Sequence, residues 1–186
     1  MLWAIPLGVA LGLVVRGRLD GLFGLGFRWA RLAVGGLLVQ LVLFTEVGDR
    51  IAGSIGPAIY VASTLAVFVA VARNVWLTGM PVVAAGALSN LLAISANGGF
   101  MPADAGALAL AGIGGPGDHT NSVVLANPAL RPLTDIYALP AWMPLANVFS
   151  VGDVLIGAGV MVVIVAAMRL PGAGPGTDPG TGPSTR

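Results

Sequence analysis

The stretch NVFSVGDVLIGAGVMVVIVAAM, residues 147–168, decides the fold. Most of it is as apolar as a bilayer-crossing helix, which takes roughly 20 residues, yet a carboxylate, Asp153, stands near its start. An ionised Asp near a bilayer centre costs about 2.5–3.5 kcal/mol on insertion scales. A chain that keeps one gives it a partner or a use. Gly157 follows Asp153 by one helical turn, so a neighbouring helix has room to approach closely beneath the carboxylate.

Working outward, the rest of the chain has the same character. Hydrophobic residues make up 56% of its 186 residues and charged residues only 9%, and its mean hydropathy is +0.92. Soluble domains carry about 25% charge, so too little polar surface remains to cover a water-soluble molecule of this size. Five stretches read as membrane helices: residues 1–15, 32–45, 54–72, 75–95 and 150–168. The expected fold is all-α, a polytopic bundle of about five transmembrane helices with a long outer loop and an interfacial segment. Residues 1–169 form the membrane domain. The Gly- and Pro-rich end, residues 170–186, reads as a disordered cytoplasmic tail.

Charge sets the orientation. Arg16, Arg18, Arg28 and Arg31 fall between the first two stretches, Arg73 between the third and fourth, and Arg169 after the fifth, whereas the other two connections hold only Arg50 and Arg131. Alternate loops are therefore basic, which by the positive-inside rule puts them in the cytoplasm and the N-terminus outside. The first stretch lacks the form of a secretory signal, because its Arg residues follow the apolar run instead of preceding it. Between stretches one and two, GLFGLGFRWARL (residues 21–32) suits an amphipathic segment lying in the interface.

Several function classes fall away. There is no Cys, hence no disulfide, thiolate catalysis or Cys-ligated metal, and a net charge of +1 does not favour nucleic acid. Phosphate-binding glycine loops, Ser-His-Asp patterns and nucleotide fingerprints are missing, so no cofactor is expected. Asp118 and His119 with Asp135 form a weak metal pattern, read as a solvated loop; no metal is expected. The expected partner is the lipid bilayer, with a membrane-embedded substrate or partner helix as a further candidate.

The outer connection, residues 96–147, holds the remaining polar residues. Asn97-Gly98-Gly99 permits a tight turn with positive φ, and Pro102 suits the start of a short helix. The Gly-rich run AGIGGPGDHTNS (residues 111–122) reads as mobile. NPALRPLTDIYALPAWMPLANVF (residues 127–149) has the composition of a segment lying along the membrane surface, and would hold Asp135 there, near Asp153. Two carboxyl groups in one site share a proton, the arrangement of aspartic proteases. The competing reading has Asp153 capping its own helix, where the dipole and free N–H groups favour an anion, and Asp135 paired with Arg131.

The motifs ANGGFMP (96–102), LTDIYALP (133–140) and NVFSVGDVLIGAG (147–159) resemble an uncharacterised family of small polytopic bacterial membrane proteins, with NGGxMP and VFSxGDVLI as its marks. That resemblance implies a class and no activity. A more distant resemblance is to the lipoprotein signal peptidases, four-helix aspartyl proteases of the bacterial inner membrane, through GALSNLL (86–92), LTDI (133–136) and FSVGDVLIGAG (149–159). It implies that Asp135 and Asp153 are the catalytic pair, with Asn90 behind them; Asn97 and Ser150 are further expected neighbours of the site. The chain departs from that pattern in FTEVGDRIAG (44–53), where the family keeps N-x-G-A-A-F, in Ile94 where it has Arg, and in Ser150 where it has Asn.

Three readings result: an aspartyl peptidase-like membrane hydrolase, a non-enzymatic membrane protein that binds a partner or lipid through its outer loop, and a small transporter titrating at Asp153.

Overall fold

A computed structural model describes residues 3–113 and 122–170. Five longer helices dominate it: α1 (Ala4–Val14), α2 (Ala30–Leu43), α4 (Gly56–Ala72), α5 (Met80–Ala96) and α7 (Val151–Met168), with two short helices, α3 (Glu46–Ala52) and α6 (Ala105–Ala111). The expected tail and most of the Gly-rich run, with Asp118 and His119, lie outside the described residues.

Several helices start where the sequence supplies a start, whereas α1 and α2 begin behind Trp3 and Trp29 with no side-chain cap. Thr45 opens α3 by accepting the Gly48 N–H on its hydroxyl at 3.0 Å, and Pro57 and Pro81 sit in the first turns of α4 and α5, where a missing N–H costs nothing. The fourth apolar stretch becomes helical only at Met80, five residues later than expected, because residues 74–79 form a turn that ends on Gly79 at φ +92°. The segment 21–32 is no continuous amphipathic helix either. It holds the end of a 3-10 turn (Leu19–Gly24), a link, and the first residues of α2.

The long helices form one row in the order α2, α4, α5, α7, α1. Side-chain and glycine contacts give their directions. Gln40 on α2 bonds Thr64 on α4, and Phe44 stacks edge-on against Tyr60 at 4.9 Å, so those two helices are antiparallel. On α5 and α7 the glycines pair in reverse order: Gly86 lies against Gly152 and Gly79 against Gly159. A Cβ on Gly159 would stand 2.9 Å from the Gly79 carbonyl, and one on Gly152 2.8 Å from that of Gly86. Each pair of glycines is two helical turns apart, so the two backbones touch along a seam no side chain could enter. By contrast, α1 runs parallel to α7, with Gly8 against Met161 and Ile164 and Gly12 against Met168.

These directions put the N-termini of α1, α4 and α7 at one end of the row, together with the C-termini of α2 and α5. That end carries residues 97–113 and 122–150, which differ from the expected all-helical picture. Strand β1 (Met101–Pro102) pairs in parallel with β2 (Ser122–Val123), and β3 (Tyr137–Leu139) pairs antiparallel with β4 (Asn147–Phe149). Pro102 enters a strand instead of starting a helix, and the short helix begins at Ala105 behind the Asp104 cap. The expected interfacial segment contains a 3-10 turn and the β3–β4 hairpin, with Trp142 at the tip 81% exposed. Ala103, Ala107, Leu108, Ala111 and Val148 give this cap a small core of its own.

The opposite end gathers Arg16, Arg18, Arg28, Arg31, Arg73 and Arg169. Between the ends, the outward faces are apolar: Leu7, Leu37, Leu41, Leu65, Leu92 and Val154 are all exposed.

Candidate functional site

At the start of α7, Ser150 and Asp153 form a capping box. The Ser150 hydroxyl accepts the Asp153 N–H and the Asp153 carboxylate accepts the Ser150 N–H, both at 3.0 Å. This arrangement satisfies two N–H groups that the first helical turn leaves without partners.

The box extends to a second helix. Asn90 on α5 donates its Nδ2–H to Asp153 Oδ1 at 2.8 Å and accepts the Ser150 hydroxyl proton on Oδ1, also at 2.8 Å. Asn90, Ser150 and Asp153 thus close a ring of four hydrogen bonds in which the Ser150 hydroxyl both accepts, from the Asp153 N–H, and donates, to Asn90 Oδ1. Gly152 makes the ring possible, since a Cβ there would collide with Asn90 Oδ1. Ser150 has no exposed surface.

One side of Asp153 faces an open apolar cleft between α1 and α7, of about 550 Å³. Its walls are Leu7, Val154, Ala158 and Met161 below and Leu139, Met143 and Phe149 above. The Trp3 indole donates to the Pro144 carbonyl at 3.2 Å and closes the rim, and Phe149 is held by a stacked Tyr137 at 5.6 Å. Among its lining residues Asp153 alone is charged. Beneath Gly157 a Cβ would be 3.6 Å from Ala4, so the neighbour expected there is α1.

The remaining expected residues lie in the cap. Asp135 is 5% exposed. Its N–H donates to the Pro102 carbonyl at 2.9 Å and its carbonyl accepts the Asp104 N–H at 3.0 Å, in a parallel bridge to Ala103. It does not line the cleft that Asp153 faces. Arg131 pairs with Asp104 at 3.4 Å. Asn97 donates to the carbonyls of Ala93 and Ala129 and accepts the Ala129 N–H, clamping the returning loop to the end of α5. The expected turn follows, with Gly98 and Gly99 at φ +70° and +87°.

Asp104 caps α6 through the N–H groups of Gly106 and Ala107. The Ala107 N–H, with smaller help from Arg131 and Gly106 and against some desolvation, holds its carboxyl below the ordinary carboxylate range.

Asn74 is a further structured polar residue, at the end of the row opposite the cap. Its side chain has no exposed surface, accepts the Arg28 N–H at 2.8 Å, and donates to the carbonyls of Arg28 and Ala70, both at 2.7 Å. A polar residue in the turn after an apolar run was the available signal.

The molecule is thus a mostly helical protein in which two stretches, Glu46–Ala72 and Val151–Met168, are long and apolar enough to cross a membrane. The chain belongs to a family of unknown function, DUF5317, whose model matches residues 24–165. The matched region takes in the whole Asn90–Ser150–Asp153 ring and the cap, and α1 precedes it. No curated protein and no solved structure matches the chain.

Proposed function

We propose that the protein is a five-pass integral protein of the bacterial inner membrane, N-terminus outside and C-terminus cytoplasmic, which takes an apolar segment into the α1–α7 cleft from the side. The occupant is a membrane-embedded helix or an acyl chain. The observation that carries this reading is the cleft itself: open, with apolar walls on two parallel helices and a single carboxylate held at its upper edge. A volume of about 550 Å³ falls within the range of ligand sites.

The membrane reading rests on composition and on the exposed leucines around the row. At 18 residues, α7 is about 27 Å long, close to the 30 Å hydrocarbon core. Helices α1 and α2, at 11 and 14 residues, require local thinning. In this reading Asp153 braces α7 to α5. The transporter reading loses ground because the cleft below Asp153 is lined by Val154, Ala158 and Met161 and offers no polar path.

A photo-reactive residue at Met161 tests the proposal in membranes. Cross-links to lipid or to a second polypeptide support it; cross-links confined to α1 of the same chain, as in a closed helix pair, contradict it.

One observation favours the aspartyl hydrolase as a second reading. The β3–β4 hairpin begins just after Asp135 and ends just before Asp153, and so brings both carboxyl groups to one end of the molecule. For that reading Asp135→Asn and Asp153→Asn would each abolish cleavage of a membrane substrate at normal protein level. Full function of either variant removes it.

A further inference from the structure

At the end of the row opposite the cap, the link before α2 and the turn after α4 exchange side chains. The Arg28 guanidinium lies over the Trp76 ring at 4.7 Å, and the Arg73 guanidinium lies over the Trp29 ring at 5.8 Å. Each cation comes from one segment and its ring from the other. The fully buried Asn74 fixes this exchange by bonding both the N–H and the carbonyl of Arg28. Trp29 stands at φ +61° and ψ +30°, a left-handed conformation that is uncommon for a bulky residue and costly to hold.

Both guanidiniums are exposed, and the two rings are about half exposed. Among the described residues the ion pairs are Arg18–Asp20 and Arg131–Asp104, and Arg28 and Arg73 pair there with rings and with no carboxylate. Stacking on an aromatic face fixes the plane of a guanidinium while leaving its N–H fork free to bond an anion. Such forks match phosphate oxygens in pairs, and Trp side chains favour the headgroup level of a bilayer.

We propose that this corner, Arg28 and Arg73 seated on Trp76 and Trp29 and locked by Asn74, binds the phosphate of an anionic phospholipid headgroup. The site rests on the membrane reading, which places this end at the cytoplasmic surface, where anionic lipid is concentrated. The left-handed Trp29 is explained as well: its backbone strain holds a ring where the lipid-facing cation needs support.

The test compares full-length protein in nanodiscs of phosphatidylcholine with nanodiscs containing phosphatidylglycerol, reading the lipid that remains bound by native mass spectrometry. The expected result is a phosphatidylglycerol preference that falls roughly tenfold to thirtyfold in the Arg28→Gln, Arg73→Gln double variant. Inorganic phosphate at millimolar concentration should not displace the lipid; displacement would show a free-anion site and overturn the assignment. The Arg16→Gln, Arg169→Gln pair changes as much charge at the same end and should keep the preference. Equal loss in that control would mean diffuse surface charge and no site. Equal retention of both lipids by the unaltered protein also refutes the site, and leaves the membrane reading standing if the protein still requires a bilayer or detergent.

Discussion

Replacing Asn90 and Asp153 by alanine, singly and together, measures what the hydrogen-bond ring contributes. Asn90→Ala deletes two bonds of 2.8 Å and leaves the fully buried Ser150 hydroxyl without its acceptor. Leaving such a group unsatisfied costs about 1–3 kcal/mol. Asp153→Ala deletes the same bond to Asn90 and, in addition, the acceptor for the Ser150 N–H, half of the capping box. Loss of a helix cap costs about 1 kcal/mol. The bond shared by both variants is counted in each single change and once in the double. The two effects must therefore fall short of adding, by the worth of that bond. Under the membrane proposal the scale is that of polar contacts between membrane helices, which average about 0.6 kcal/mol and reach about 1.7, and the short 2.8 Å bond favours the upper part of that range. The expected coupling is about 1–1.5 kcal/mol. The assay is reversible unfolding in mixed micelles, followed by circular dichroism, for the four proteins of the cycle. Additivity within about 0.3 kcal/mol would show that Asn90 and Asp153 do not hold each other, and the bracing role would fall.

Gly152→Ala should cost about 1–3 kcal/mol, because the added Cβ meets Asn90 on one side and the Gly86 carbonyl on the other. Gly35→Ala on α2, with nothing near its Cβ, should be neutral or stabilising in the same unfolding assay, and the reverse order would contradict the seam. Asn74→Ala removes three hydrogen bonds at a site with no exposed surface. It should expose the link at residues 24–29 to protease, and an unchanged digestion pattern would refute the latch. Asp104 gives a pH signature. Its carboxyl titrates below its unfolded value, so its contribution to the α6 cap is complete above about pH 4 and is lost as pH falls through the lowered value. Amide exchange at Gly106 and Ala107 should speed up below that point beyond the intrinsic rate, and Asp104→Ala should show the fast exchange at every pH.

The helices were legible because apolar runs of Leu, Val and Ala leave few alternatives, and α7 begins within a residue of its expected start. Helix α5 starts later than its apolar run, since Val75, Trp76 and Leu77 are as apolar as helix residues and nothing local reveals that they belong to a turn closed at Gly79. The cap has the composition of a loop and an interfacial segment. Strands of two or three residues carry too few positions for a period to show, and the pairing of residues 101–102 with 122–123 depends on a return of the chain. Of the expected residues, Asp135 and Asp153 with Asn90, Asn97 and Ser150, three bond to one another, Asn90, Ser150 and Asp153. Their bonds follow the capping reading, extended across to Asn90, which spacing along the chain had no means to reveal. Asp135 lies inside the cap, held by its backbone to Pro102 and Asp104.

The most direct measurement uses the absence of cysteine from the chain. Single Cys residues placed at Trp142, 81% exposed at the tip of the cap, and at Phe23, 91% exposed at the arginine end, are treated in intact cells with a membrane-impermeant maleimide. Labelling at position 142 at once, and at position 23 only after permeabilisation, is the result expected of a bundle that crosses the membrane with its cap outside. Equal labelling of both positions in intact cells, or protection of both until the cells are opened, would contradict it.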